Sequence, residues 1–210
     1  YSEFDRIESS KNHEYLISPI SNQNISINRT KVGVLASGNG TNFESLVIAS
    51  RSSQISADIT ILIVNNPNAG VISRAMKLNI PFEILDHNNF ASREDYDEQI
   101  ISILNSYGIQ FIVMAGWMRI ATSNLINSFA DKIINIHPSL LPSFKGVKSI
   151  ERAFKSGVKI TGCTVHIVKE EIDSGPILIQ AAVPILVSDT LESLTKRIQY
   201  YEHLILVKGT

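Results

Sequence analysis

The chain has 210 residues, of which 44% are hydrophobic and 19% charged, and its formal net charge is −1 at pH 7. This composition predicts a globular protein. It excludes the clustered Lys and Arg of a nucleic-acid surface and an apolar run of the ~20 residues that span a bilayer. Cys163 is the only cysteine, which excludes an intramolecular disulfide and a cysteine-cluster metal site. We expect a soluble, cytoplasmic protein without nucleic-acid or membrane partners.

Residues 1–30 differ in composition from the rest of the chain. They are polar, rich in Ser and Asn, and lack the apolar core of a secretory signal. Acidic side chains such as Glu3 and Asp5 argue against an organellar transit peptide. We predict a flexible N-terminal extension over residues 1–30, followed by one domain over residues 31–210.

From Lys31 onward, apolar runs alternate with helical patterns. In chain order, these predict a strand over 31–38, a helix from Thr41, a strand over 57–66, a helix over 71–79, a strand over 80–87, a helix over 92–108, a strand over 109–116, a helix over 122–130 and a strand over 132–138. Thr41 and Glu44 have the spacing of a capping box, and Ser92 opens the longest amphipathic stretch.

The pattern changes after Gly162, where residues 164–169 and 177–186 predict paired antiparallel strands around a turn. Asp189 is expected to cap a final helix over residues 190–207. The whole pattern predicts an α/β fold with a doubly wound, mostly parallel, Rossmann-like sheet and antiparallel strands toward the C-terminus. In such a sheet, ligands bind at the carboxyl ends of the strands, but the fold leaves the chemistry open.

The segment SGNGTN joins the first predicted strand to the first helix. Free backbone amides at a helix start attract anions, so Gly40, Thr41 and Asn42 are candidates for holding a phosphate. A tight turn with nothing bound is the alternative. A dinucleotide site is not expected, because Phe43 stands where the fingerprint needs a third glycine and the next strand ends in asparagine at residues 65–66.

The strand end IINIHP places Asn135 and His137 on one face, because their separation by one residue matches the period of a strand. A carboxamide and an imidazole side by side suit acyl transfer, in which an oxyanion develops on the attacked carbonyl. Asp173 is a third candidate, since a carboxylate near His137 would raise the pKa of the ring. The alternatives are a structural histidine and a simple Asp-Ser-Gly turn.

Seven segments carry a resemblance to a known family. SGNGTN, SREDYD, AGWMRI, NIHPSLLPSFKG, GCTVHIV, EEIDSGPILIQ and QYYEH occur in that order between Lys31 and the end of the chain. The chain thereby resembles the glycinamide ribonucleotide formyltransferases of the folate-dependent formyltransferase superfamily. The resemblance implies a metal-free transferase of purine biosynthesis that moves the formyl group of 10-formyltetrahydrofolate to the amine of glycinamide ribonucleotide.

The resemblance also implies roles for individual residues. The catalytic trio corresponds to Asn135, His137 and Asp173. The residues that bind the nucleotide substrate in the family correspond to six residues on three segments of this chain, namely Gly40, Thr41, Asn42, Met118, Gln199 and Glu202. The residues that bind the folate in the family correspond to a second set, namely Arg93, Met118, Arg119, Ile120, Ala121, Asn135 and the loop around the pterin ring, Lys169, Glu170, Glu171, Ile172 and Asp173. His166 is expected to support the site structurally.

Two departures from the family pattern concern the edge of the site and the end of the chain. Lys148 stands in a stretch where many relatives carry histidines, and the chain stops at Thr210, where relatives usually continue. The competing functions are a formyltetrahydrofolate hydrolase, another formyltransferase of the superfamily, and a non-catalytic phosphate-binding module. The expected assembly is a monomer or weak homodimer.

Overall fold

The computed structural model describes residues 17–18 and 29–210. Its strands are β1 (Ile17–Ser18), β2 (Thr30–Ala36), β3 (Ala57–Val64), β4 (Phe82–Ile84), β5 (Phe111–Met114), β6 (Ile133–His137), β7 (Ile160–Ile167) and β8 (Ile177–Pro184). Its helices are α1 (Thr41–Arg51), α2 (Val71–Lys77), α3 (Arg93–Ser106), α4 (Ser123–Ser128), α5 (Ser149–Ser156) and α6 (Leu191–Gly209). None of the helices in these residues is long and apolar enough to cross a membrane.

The described strands form one sheet in the order β1-β8-β7-β6-β5-β2-β3-β4. Strands β4, β3, β2, β5 and β6 run parallel, whereas β7, β8 and β1 are joined by antiparallel pairing. The predicted fold class is therefore confirmed. Strands β3 and β4 extend the sheet on one side of β2, and β5 and β6 extend it on the other. This reversal leaves a crevice at the carboxyl ends of β2 and β5.

Two hydrophobic clusters cover the two faces of the sheet. Alternate residues of β2 point to opposite faces, so that Val34 joins one cluster and Leu35 the other. Helices α1, α2 and α6 contribute to the first cluster, and α3 and α4 to the second. Because both faces are buried, β2 and β3 are almost continuously apolar, which is why their sequences predicted buried parallel strands.

Two predicted helix caps are wrong. Helix α1 has no side-chain cap: its N-cap is Gly40, which adopts a left-handed conformation with φ of 77°. Glu44 pairs with Arg74 instead of capping. At α6, Thr190 is the N-cap and forms a capping box with Ser193. Asp189 lies one residue earlier, where it forms an ion pair with Arg197.

Three further features of the helices and strands differ from the predictions. Helix α5 was not expected; it begins after Lys148, which is left-handed and provides no side-chain cap, so the usual start signal is missing. Strand β7 begins at Ile160, four residues earlier than predicted. The longest helix among the described residues is α6, with 19 residues against 14 in α3.

Most of the predicted extension over residues 1–30 lies outside the described residues. Within it, Ile17 and Ser18 pair antiparallel with Ala181 and Gln180 of β8. Strand β2 begins at Thr30, one residue before the predicted domain start.

Candidate active site

A cavity of about 560 Å³ opens at the carboxyl ends of β2, β5 and β6. On one side it is lined by residues 38–42 after β2 and by Gln199 and Glu202 of α6. The remaining lining comes from the ends of β5 and β6 and from the β7–β8 turn, namely residues 114–121, 135–138, 146–150, 166, 168–170, 172 and 173. The crevice predicted from the fold class therefore brings together most of the residues singled out in the sequence.

Strand β6 presents Asn135 and His137 to this cavity. Ile134 and Ile136, the residues that alternate with them, face the hydrophobic cluster on the other side of the sheet. His137 is only 6% exposed. The predicted common face of Asn135 and His137 is thus present, and it lies where the strand ends and the cavity begins.

Asp173 lies in the turn between β7 and β8 and adopts a left-handed backbone conformation with φ of 50°. One carboxylate oxygen accepts a hydrogen bond of 2.7 Å from the backbone N–H of Gly146 and lies 3.3 Å from Nδ1 of His137. The other lies 3.6 Å from Nε2 of His166. Asp173 is therefore both a turn residue and the carboxylate partner of His137, and the two interpretations of the sequence hold together.

The imidazole of His137 lies between two acceptors. Its Nε2 is 3.1 Å from the carbonyl oxygen of Phe144, and its Nδ1 faces Asp173. A carbonyl can only accept, so Nε2 carries a proton in this arrangement. Only the doubly protonated ring donates to both neighbours. Proton gain and loss at Nδ1 is therefore coupled directly to the Asp173 carboxylate.

The protonation equilibria of this pair depend on burial as well as charge. Burial lowers the pKa of His137 below its ordinary value, and the opposing effects of Asp173 and the Phe144 carbonyl do not fully offset it. Asp173 therefore acts in the expected direction, but burial keeps the net pKa of His137 below its ordinary value. Burial acts to raise the pKa of Asp173, but the adjacent His166 ring, the hydrogen bond from Gly146 and the charge of His137 bring it below its ordinary value.

His166 joins the amide of Asn135 to the carboxylate of Asp173. It lies opposite Asn135 in the β6–β7 pairing, and its Nε2 is 3.2 Å from the Asn135 side-chain nitrogen. Its Nδ1 lies 3.0 Å from the Ile167 carbonyl, which accepts from it. This fixed ring supports the expected structural role, because it holds the carboxamide beside His137.

The loop after β2 lines the end of the cavity opposite His137. Gly40 is required there for packing, since a Cβ atom would lie 2.3 Å from the side chain of Val71. Gly38 has open space around it and lines the cavity. Thr41 and Asn42 follow as the first residues of α1, so their backbone N–H groups have no partner within the helix. This geometry can hold an anion.

Glu202 lies beneath this loop on α6. Its carboxylate accepts a hydrogen bond of 3.3 Å from the Asn42 amide, while the Asn42 side-chain oxygen is buried with no hydrogen-bond partner among the described residues. Burial raises the pKa of Glu202 to about 7, against the opposing effect of Asn42. Gln199, one turn earlier, is exposed at the cavity edge.

The segment after β5 forms an apolar wall of the cavity. Met118 is 76% exposed and its backbone N–H donates to the Ser37 hydroxyl over 2.9 Å. Ile120 is also exposed, and Ala121 lines the cavity beside it. Arg119 lies over the ring of Tyr96 with its guanidinium carbon 5.0 Å from the ring centre. Such a surface suits a flat, partly apolar ligand.

The predicted pterin loop lies on the other side of His137. Lys169, Glu170, Ile172 and Asp173 line the cavity, and the Lys169 ammonium contacts Asp131 at 2.7 Å. Glu171 does not line the cavity; it points outward and contacts Lys145 at 3.1 Å. Arg93, exposed at the first position of α3, also lies outside the cavity lining.

Two contributors were missed because their sequence carries no signal. The Gly146 N–H and the Phe144 carbonyl contact Asp173 and His137 through backbone atoms, which every residue type supplies except for the N–H of proline. Lys148, noted as a departure from the family pattern, lines the cavity in a left-handed conformation with φ of 54°.

Comparison with known proteins gives consistent matches over most of the chain. The family model described as formyl transferase matches residues 30–210. Phosphoribosylglycinamide formyltransferase of Bacillus subtilis is 40% identical over 173 residues, which cover 82% of this chain and 89% of that protein. The trifunctional purine biosynthetic protein adenosine-3 of Gallus gallus is 39% identical over 179 residues, or 85% of this chain, but this chain spans only 18% of its length.

Solved structures match equally well. Phosphoribosylglycinamide formyltransferase from Bacillus halodurans superimposes with a TM-score of 0.84 at 39% identity, covering 86% of this chain and 93% of that one. Glycinamide ribonucleotide transformylase 1 from Symbiobacterium toebii gives a TM-score of 0.85 at 35% identity, covering 90% of this chain and 89% of that one. By sequence and fold together, the chain belongs to the formyl transferase family.

Proposed function

We propose that the protein transfers the formyl group of 10-formyltetrahydrofolate to the amine of glycinamide ribonucleotide, giving formylglycinamide ribonucleotide and tetrahydrofolate in purine biosynthesis. One observation carries the proposal: Asn135, His137 and Asp173 face the same cavity as the amides that begin α1. A carbonyl-polarising group and an anion site in one cavity suit a phosphorylated acyl acceptor. The names of the relatives support the same substrates.

In the proposed complex, the two substrates occupy opposite ends of the cavity. The nucleotide phosphate binds the amides of Gly40, Thr41 and Asn42, and the rest of the nucleotide extends past Met118 toward Gln199 and Glu202. The folate lies between the wall 118–121 and the loop 169–173. Arg93 and Glu171 are proposed folate contacts that would need to reach from outside the cavity lining.

The reaction begins when the substrate amine attacks the formyl carbon, forming a C–N bond and placing negative charge on the former carbonyl oxygen. Asn135 and the protonated ring of His137 donate hydrogen bonds to that oxygen. The protonated His137 then gives a proton to the departing folate nitrogen and takes one from the new ammonium. The bond between the folate nitrogen and the formyl carbon breaks as the oxyanion re-forms the carbonyl of the product. Asp173 stabilises the imidazolium in each step.

The geometry adds one requirement. Nε2 of His137 is engaged by the Phe144 carbonyl, so the ring or this carbonyl must shift before Nε2 can reach the substrate. In the absence of substrates, catalytic hydrogen bonds are often poorly aligned and reach their productive geometry only in the complex.

The experiment follows tetrahydrofolate release after mixing the protein with both substrates. Formyl transfer requires both, so omission of the nucleotide should abolish release. Release at an unchanged rate without the nucleotide would support the hydrolase alternative, and binding of both ligands without any release would support the non-catalytic module.

We further propose that residues 31–210 form the formyltransferase domain.

The folate end has its own prediction. Arg119→Ala removes the guanidinium that covers Tyr96, and a cation–π contact of this kind contributes about threefold in an equilibrium constant. We expect KM for the folate to rise about threefold while KM for the nucleotide stays unchanged. Arg51→Ala is the control, because its guanidinium donates to the Leu78 carbonyl, away from the cavity lining. Equal effects of the two variants would mean that the folate does not use the 118–121 wall.

A further inference from the structure

Arg74 of α2 reaches the loop that begins the nucleotide end of the cavity. Its Nε donates a hydrogen bond of 2.7 Å to the carbonyl oxygen of Asn39. Its Nη1 forms an ion pair with Glu44, in the first turn of α1. One guanidinium therefore joins the two ends of the segment that carries Gly40, Thr41 and Asn42.

The same helix supports the loop through its backbone. The N–H of Val71 donates to the Gly38 carbonyl over 3.0 Å, and Gly40 packs directly against the Val71 side chain. The start of α2 thus acts as a template for residues 38–40. Arg74 lies one turn later and holds the remaining part of the segment.

The ion pair contributes little to overall stability. The side chains of Arg74 and Glu44 are 32% and 36% exposed, and ion pairs that are partly exposed contribute little to stability because water screens them. The ion pair matters more for the charge around the amides of residues 40–42 than for the stability of the fold. A carboxylate in the first turn of α1 stands close to the amides that would bind an anion, and Arg74 neutralises it where it would otherwise repel that anion.

We propose that Arg74 is a positioning residue for the phosphate of the nucleotide substrate. It holds the Asn39 carbonyl away from the anion, so that the amides of residues 40–42 point at the phosphate, and it neutralises Glu44. This inference rests on the proposed function, because it assigns Arg74 to the phosphate end of that site.

The test compares Arg74→Ala with Arg51→Ala. Arg51 is the matched control, since it lies on α1 and donates to the Leu78 carbonyl at the end of α2, joining the same two helices away from the loop. A hydrogen bond to a charged group contributes about tenfold in an equilibrium constant. We expect Arg74→Ala to raise KM for glycinamide ribonucleotide about tenfold, with KM for the folate and kcat unchanged, and Arg51→Ala to leave all three near wild type.

Arg74→Lys is the conservative variant. A lysine carries the charge but not the planar fork that contacts Asn39 and Glu44 together, so we expect an intermediate KM for the nucleotide. The inference is overturned if Arg74→Ala and Arg51→Ala behave alike, or if both substrates' KM values rise together. It is also overturned if neither Arg74 variant changes KM for the nucleotide.

A binding measurement separates this inference from the proposed function. Calorimetric titration with ribose 5-phosphate reports the phosphate end without requiring formyl transfer. Weaker binding in Arg74→Ala than in Arg51→Ala supports the positioning role even if the wild type formylates no nucleotide. Equal binding in those two variants contradicts it even if the wild type is fully active.

Discussion

The two ends of the cavity satisfy their polar groups in opposite ways. At the His137 end, His137, Asp173 and His166 contact one another or nearby backbone groups, so the arrangement is complete before any ligand enters. At the Glu202 end, the Asn42 side-chain oxygen lacks a partner among the described residues. The groups of the first end are held in place before binding, although Nε2 of His137 must still leave the Phe144 carbonyl, and the second end keeps hydrogen-bonding capacity for a polar ligand.

The largest expected effect breaks the preorganised end. His137→Ala removes the group proposed to donate to the oxyanion and to relay the proton, so turnover should fall by about 10²–10⁴. KM for both substrates should change little, since the ring is assigned to catalysis rather than to binding. Steady-state kinetics with each substrate varied in turn gives both values.

His87→Ala is the control, because His87 lies outside the cavity lining, where its ring lies 3.3 Å from the Asn65 carbonyl and 3.9 Å from the Asp86 carboxylate. A similar loss of turnover in both variants would mean that His137 acts through folding rather than chemistry.

Asp173→Asn tests the charge within the same end. The carboxylate opposes the effect of burial on His137, so its removal should lower the pKa of that ring further. Less of the protonated ring is then available near neutral pH, and turnover should fall by about 10–10³. The activity that remains should shift to lower pH, which a pH–rate profile measures.

The control is Asp58→Asn, which removes a carboxylate paired with Arg29 away from the cavity lining. Combining Asp173→Asn with His137→Ala should cost less than the product of the single losses, because the two residues act as a unit. Fully multiplicative losses would show that they act independently.

The third prediction sharpens the comparison at the open end. The folded-state pKa of Glu202 is raised from 4.5 to about 7, so the folded protein retains a proton that the unfolded chain loses. Ionised Glu202 therefore destabilises the protein progressively as pH rises from about 4.5 to about 7. Glu202→Gln should increase the free energy of unfolding by on the order of 3 kcal/mol at pH 8, with no gain at pH 4.

Urea unfolding at the two pH values measures this difference. The control is Glu192→Gln on the same helix, whose exposed carboxylate pairs with Lys196 and has a pKa below its ordinary value. A gain in Glu202→Gln that is independent of pH would mean that packing, rather than ionisation, separates the variants.

Much of the fold and part of the site follow from local sequence. The alternation along β6 places Asn135 and His137 on one face, and the apolar runs predict the parallel strands, because both patterns reflect burial of the residues themselves. The helix caps could not be predicted from spacing alone. The Glu44 carboxylate pairs with Arg74, 30 residues along the chain, instead of capping α1. The N-cap position of α1 is occupied by Gly40 in a left-handed conformation, without a side-chain cap.

The net pKa shift of His137 shows a similar limit. Sequence identifies a carboxylate partner, and its direction of influence is correct, but the opposing effect depends on how deeply the ring is buried in the folded protein. Contacts made by backbone atoms, such as the Gly146 N–H and the Phe144 carbonyl, leave no trace in residue identity.

The pairing of β1 with β8 has a consequence for association between molecules. Strand β8 has eight residues, and among the described residues β1 pairs with its outer edge at Gln180 and Ala181. An uncovered edge offers free backbone donors and acceptors to another chain. A variant that begins at Arg29 would remove the pairing of β1 with Gln180 and Ala181, so we expect it to self-associate more readily than the full chain.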